Sequence, residues 1–355
     1  MRRKLITIRD VAEHAGVSAS TVSHVLNGNA QHVGDVKRKR VLEAVELLRY
    51  RPNAIARSMV RQQTATIGLV LTEIDNPLFI PVVAGVEDVL RPAGYHIVLA
   101  SSTDVESEIQ AIETLRSQQV DGFIFMSLSL CYPIDHLLHL KDEGVPFVVI
   151  NRCMDDPHIN QISWEDYETG YAATSHLISL GHTRIGTISG PIHNDPPRRS
   201  AIERHRGWQQ AMQDHGLERV QEWQVEGYYT YEGGYQAAQH IAAQTRRPDA
   251  LFVASDIMAV STLKAMHEAG LQVPQDMAIV TMGDPPFAAY TVPGLTTFEL
   301  PVFEAGQEAA RIVLNGLTAG QPTTTQPIVL SCRLRIRESC GAQLTPGKTL
   351  PHLSP

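Results

Sequence analysis

Apolar residues recur at two different periods along this 355-residue chain, and the change of period divides it. Near the start, Ile8, Val11, Ala12 and Ala15 fall at i, i+3, i+4 and i+7, the stripe of one amphipathic helix. Thr7 with Asp10 three residues on forms a capping-box pair, and Gly16 supplies the left-handed turn that ends the helix. Ser18 caps a second helix whose inward stripe is Val22, Val25 and Leu26, leaving Ala19, Ser20, Ser23, His24 and Asn27 on other faces. A third helix is expected from Asp35 to Arg49, with Val36, Val41, Ala44, Val45 and Leu48 closing a three-helix core. In "RPNAIARSMVRQQTAT" Asn53 caps a further short helix, in which Arg57 and Arg61 flank Met59. So short a helix is marginal in water on its own.

From Thr66 the period changes to short continuous apolar runs: "TIGLVL", "HIVLAS", "DGFIFM", "PFVVI", "RIGTIS", "ALFVAS" and "MAIVTM". Such runs suit strands of a parallel sheet buried on both faces. Between them lie helical stretches at Ser107–Gln118, Thr169–Leu180, Ile202–His215 and Met258–Ala269. The pattern predicts an all-α helix-turn-helix domain over 1–51, a hinge helix and linker over 52–65, and an α/β body over 66–340. That body is two doubly wound parallel-sheet lobes, and 341–355 is expected to be a disordered tail.

Charge sharpens this division. The net charge is -8, yet residues 1–61 carry 12 Lys and Arg against 5 Asp and Glu. The first body is therefore basic and the second acidic. A basic helix-turn-helix with a small, polar second helix fits the major groove of double-stranded DNA, its cations neutralising phosphates. A packed pair of helices with a solvated charge run, Lys37 to Arg40, is the plainer alternative.

No signal peptide and no apolar run long enough to span a membrane are seen, so a cytoplasmic location without membrane contact is expected. Cys131, Cys153, Cys332 and Cys340 show no C-x-x-C spacing, and the 15 histidines show no H-E-x-x-H. Neither G-x-G-x-x-G nor G-x-S-x-G occurs, and "PGKT" has Ala342 where a P-loop needs its first glycine. No catalytic set, metal site or cofactor is expected.

Binding has more to stand on, because ligands of open parallel sheets lie beyond the carboxyl ends of strands. The residues there are Asn151, Arg152, Ser200, Arg204, Asp256 and Asp284, with Phe79, Trp164 and Tyr229 as aromatic platforms. Arginine and carboxylate forks beside rings suit a hydroxyl-rich small molecule such as a sugar.

"TIRDVAEHAGVSASTVSHVLNG", then "YRPNAIARSM", then the α/β body closely resemble the LacI/GalR family of bacterial transcription regulators, to about residue 340. The resemblance implies a repressor that reads a palindromic operator as a homodimer. Base-reading positions fall on Ala19, Ser20 and His24, with Thr7, Ser18, Thr21, Ser23 and Asn27 around them. In the hinge, Asn53, Ala56 and Arg57 join Met59, which takes the position of a minor-groove wedge. "ERHRGW" matches the family's R-x-x-G-aromatic signature and puts the effector-contacting arginine at Arg204; Ser200, Tyr229, Phe79 and Asp256 match other effector positions. An acidic pair expected before the prolines of "GDPPFAAY" is reduced to Asp284, with Gly283 in place of the first acid. Family lobes exchange strands, which implies crossings near 163, 292 and 324, with lobe 1 at 66–163 and 293–324 and lobe 2 at 164–292 and 325–340. The resemblance also leaves room for a phosphocarrier protein as corepressor. A sugar-binding receptor without a DNA role is the alternative, and an enzyme on this fold is the weakest reading.

Overall fold

A computed structural model describes residues 6–26, 33–50, 63–72, 74, 76–126, 134–152, 156, 159–193, 198–319 and 327–342. The chain divides into two units, Met1–Thr64 and Ala65–Pro355.

In the first unit α1 (Ile8–Ala15), α2 (Ala19–Leu26) and α3 (Asp35–Leu47) enclose Val11, Ala12, Ala15, Val22, Val25, Val41 and Ala44. Thr7 and Asp10 make the reciprocal capping box, and Gly16 closes α1 at φ 65°. Val36 differs from expectation: at 68% exposure it stands on the solvent face of the first turn of α3, and the core is closed by Val41 and Ala44.

The second unit holds two six-stranded sheets. The first uses β1 (Thr66–Thr72), β2 (His96–Ser102), β3 (Gly122–Met126), β4 (Phe147–Ile150), β5 (Gln161–Trp164) and β11 (Ile328–Leu330). Its order is β11-β5-β4-β3-β1-β2, with every pair parallel. The second uses β6 (Ile185–Ser189), β7 (Gln224–Glu226), β8 (Ala250–Val253), β9 (Ala278–Gly283), β10 (Thr296–Glu299) and β12 (Arg333–Arg335). Its order, β12-β10-β9-β8-β6-β7, repeats that of the first, and only β12 runs antiparallel.

Helices α4 (Phe79–Leu90), α5 (Val105–Ser117), α6 (Asp135–Asp142) and α11 (Val302–Ala319) accompany the first sheet; α7 (Asp166–Ser179), α8 (Arg199–Asp214), α9 (Tyr231–Ala242) and α10 (Asp256–Glu268) accompany the second. In each lobe one helix pair meets backbone to backbone through glycine. A Cβ on Gly85 of α4 would lie 2.1 Å from the Phe303 carbonyl of α11, and one on Gly170 of α7 would lie 2.2 Å from the Arg204 carbonyl of α8.

Three expectations change. The chain passes between sheets after Trp164, after Glu299 and after Leu330, so the second and third crossings lie later than 292 and 324. "VLSCRLRIRES" is correspondingly not one strand, because its halves serve β11 and β12 in different sheets. Strand β2 is half exposed, since it pairs only with β1 at the sheet edge. Of the expected tail only Gly341 and Ala342 lie within the described residues.

Candidate DNA-reading surface and ligand cleft

The start of α2 is fixed by Ser18, whose Oγ accepts the backbone N–H of Thr21 at 3.1 Å and lies 2.8 Å from the Thr21 hydroxyl. Val22 and Val25 turn inward, which leaves Ser20 and His24 exposed one turn apart, with Ala19, Thr21 and Ser23 half-buried beside them. A small polar turn followed by an exposed imidazole is a surface that can approach base edges. Thr7 is spent on the cap of α1, leaving its hydroxyl 2.7 Å from Asp10 Oδ2. Asn27, Asn53, Ala56, Arg57 and Met59 lie outside the described residues.

In the second unit a cleft of about 220 Å³ opens at the carboxyl ends of the strands of both sheets. Six of the nine expected residues line it: Asn151, Ser200, Arg204, Tyr229, Asp256 and Asp284. Asn151 follows β4, Asp256 follows β8, Asp284 follows β9, and Tyr229 follows β7. Asn151, Tyr229 and Asp284 hold positive φ angles of 52°, 57° and 61°, a costly backbone choice for non-glycine residues that concentrates at functional sites. The sequence reading missed Asn76, Leu78, Phe287 and Phe303. Leu78 was hidden by one position, since its neighbour Phe79 is the residue that turns into the core, at 1% exposure.

The polar wall is built around Arg204 on α8. Its Nε donates to Asp166 Oδ1 at 2.7 Å and its Nη1 donates to the Ala254 carbonyl at 2.7 Å, so the guanidinium is held at a fixed angle. Burial would lower the Arg204 pKa, but the charge of Asp166 carries it above its ordinary value. Burial likewise raises the Asp166 carboxyl, against the pull of Arg204. Arg204 and Arg198 each lie 5.8 Å from the Tyr229 ring centre, placing two cations against one aromatic platform. Asp284 pairs with Arg337 at 2.7 Å. Asp256 is 5% exposed, and burial, then the charge of Asp284, push its carboxyl well above the usual range.

Three expected residues lie elsewhere. Phe79 is a core residue of α4, and Trp164, 4% exposed on β5, belongs to the same core. Arg152 turns away from the cleft and donates from Nη1 to Glu108 Oε1 at 2.7 Å, an oxygen that also lies 2.6 Å from His136 Nε2. Burial would raise Glu108, but the hydrogen bond from His136 and the charge of Arg152 bring it below its ordinary value.

A polar, capped recognition helix and a two-lobed body with a ligand cleft define a class, that of DNA-binding regulators that sense a small molecule. Residues 7–53 match the model of bacterial regulatory proteins of the lacI family, and residues 174–340 match a periplasmic binding protein-like domain. The chain is 36% identical over 318 residues to the HTH-type transcriptional repressor PurR of Edwardsiella ictaluri, covering 89% of this chain and 91% of that protein. To the ribose operon repressor of Escherichia coli K12 it is 35% identical over 323 residues, covering 91% and 96%. Among solved structures, the lac repressor dimer bound to operator and the anti-inducer ONPF superposes with TM-score 0.83 at 26% identity, over 95% of this chain and 99% of that one. A complex of the transcriptional regulator CelR with cellobiose gives TM-score 0.70 at 30% identity, over 94% and 99%. The chain belongs to the LacI family of bacterial transcription regulators. It is a DNA-binding repressor under effector control. No helix among the described residues is long and apolar enough to cross a membrane.

Proposed function

We propose that the chain binds a palindromic operator as a homodimer through α2, and that its cleft takes a neutral, hydroxyl-rich effector of the sugar class. One observation carries the effector class: the cation lining the cleft is already engaged by a carboxylate. Among the described lining residues Arg204 is the one cation, and Asp166 takes its charge. Asp284 is paired with Arg337, and Glu299 with Arg335. A phosphate brought here would meet the carboxyls of Asp256, Asp284, Glu299 and Glu304 with no second cation among the described lining residues. A sugar needs instead hydroxyl partners and apolar faces. Asn76, Asn151, Ser200 and Asp256 supply the first; Tyr229, Phe287 and Phe303 supply the second. The cellobiose complex of CelR and the name of the ribose operon repressor support the same class.

Occupancy changes operator affinity only if the ligand binds the two states of the lobes with different free energies. A ligand touching Arg204 and Asp256 of one lobe and Asn76 and Phe303 of the other meets that condition. The test is a thermal-shift screen of unphosphorylated pentoses, hexoses and disaccharides beside their phosphates. A neutral sugar is expected to stabilise the protein by roughly 2.7 kcal/mol at a hundredfold excess over its Kd. Stabilisation by phosphorylated sugars alone would contradict the charge argument. For the DNA half, selection from a random duplex pool is expected to enrich a palindrome, and enrichment of none would count against it.

A further inference from the structure

We propose that Gly283 is a specificity-determining position: by carrying no side chain it seats the Asp256 carboxyl in the cleft wall. The acid that recognises the effector's hydroxyls then comes from the start of α10 instead of the tip of β9. This rests on the reading of the cleft as a sugar site.

A side chain at 283 and the Asp256 carboxyl in its present rotamer cannot share the same space. A Cβ on Gly283 would lie 1.7 Å from Asp256 Oδ2 and 2.9 Å from its Cγ, so any side chain at 283 displaces the carboxyl. Gly283 also sits at φ 134°, where L side chains are strained. Asp256 is tethered in place. Thr297 donates from Oγ1 to its Oδ1 at 3.3 Å, and the backbone N–H of Asp284 also hydrogen-bonds to it. Asp284, the other acid at the tip of β9, is engaged by Arg337 at 2.7 Å. Asp256 is therefore the carboxyl of this turn left to face a ligand, and among the described residues no cation forms an ion pair with it. A neutral hydroxyl fits such a partner better than an anion does. The same device recurs at the tip of β6, two strands away, where a Cβ on Gly190 would lie 2.2 Å from the Tyr229 ring.

The experiment is a double-mutant cycle on the full chain, measuring by calorimetry the affinity for D-ribose, D-glucose and cellobiose. Asp256→Ala is expected to weaken binding of the sugar that the wild type takes by about tenfold or more. Gly283→Ala is expected to cost a similar factor alone and less than about twofold when added to Asp256→Ala, because it acts through that carboxyl. Equal costs of Gly283→Ala in both backgrounds would overturn the proposal. Should Gly283→Ala fail to fold, Asp256→Asn, which keeps the shape over Gly283, decides: sugar affinity unchanged in it and in Asp256→Ala overturns the proposal. A wild type that binds none of the three sugars overturns the sugar reading and this proposal with it. A wild type that binds one regardless of Asp256 overturns this proposal alone.

Discussion

Two buried arginines, one in each lobe, look alike in sequence and do opposite things in the structure. Arg152 and Arg204 are each 6% exposed, and each donates to a carboxylate at 2.7 Å. Arg204 sits on a helix whose first turns face the cleft, and Asp166 holds it with its guanidinium carbon 5.8 Å from the Tyr229 ring centre. Arg152 leaves β4 two residues later than the last strand position and folds back onto α5, where it closes a triad with Glu108 and His136. One fork presents a charge-balanced surface to the cleft. The other ties a loop to its own lobe. Proximity to a strand's carboxyl end thus does not settle whether a residue reaches the cleft; the direction of the side chain does.

This contrast can be broken experimentally, beginning with the largest effect. Arg204→Ala is expected to lower effector affinity about 100-fold and to destabilise the body by about 3 kcal/mol, because Asp166 is left buried without its cation. Arg152→Ala should cost a similar 3 kcal/mol in urea unfolding through Glu108, yet leave effector Kd within about twofold. Loss of effector binding in Arg152→Ala would erase the distinction.

His205, next to Arg204 on α8, sharpens the contrast from another side. It stacks on Trp208 at 5.4 Å, and burial, with help from the charge of His193, pushes its pKa down to about 4. Above pH 6.5 it is neutral whether folded or not and adds no pH dependence. Below that the unfolded chain takes up the proton first, so stability should fall by roughly 3 kcal/mol as pH drops to 4. Unfolding midpoints measured across this window should flatten in His205→Gln, while sugar binding at pH 7 stays unchanged. The smallest effect is the most pointed. Asp166→Asn releases the charge of Arg204 and should weaken the neutral sugar by about tenfold while improving the corresponding sugar phosphate, as read by competition.

Much of the first unit was legible because its signals are local. The capping box of Thr7 and Asp10, Gly16 and the Ser18 cap each act within four residues, and all three appear as expected. Val36 failed because an apolar residue in a first turn was counted toward the core, although its direction on the helix faces solvent. In the body, the long apolar strands were legible, whereas β5, β7 and β10 were not. These have only three or four residues, and the threonines of β10 disguise a buried strand. The second crossing, which the family resemblance put near 292, falls after β10. The cleft was legible as a set of strand ends, and six of nine residues reach it. Its apolar wall was not, because Leu78, Phe287 and Phe303 come from turns and a helix start with no local mark of a ligand site.

The most direct test of effector control through this cleft is to titrate the sugar found by the screen into the full-length protein bound to its selected operator, following fluorescence anisotropy of the labelled duplex. For the wild type and for Arg152→Ala the account predicts the same sugar-dependent change in operator affinity, absent in Arg204→Ala. A response that survives Arg204→Ala, or one that vanishes in Arg152→Ala alone, would contradict it.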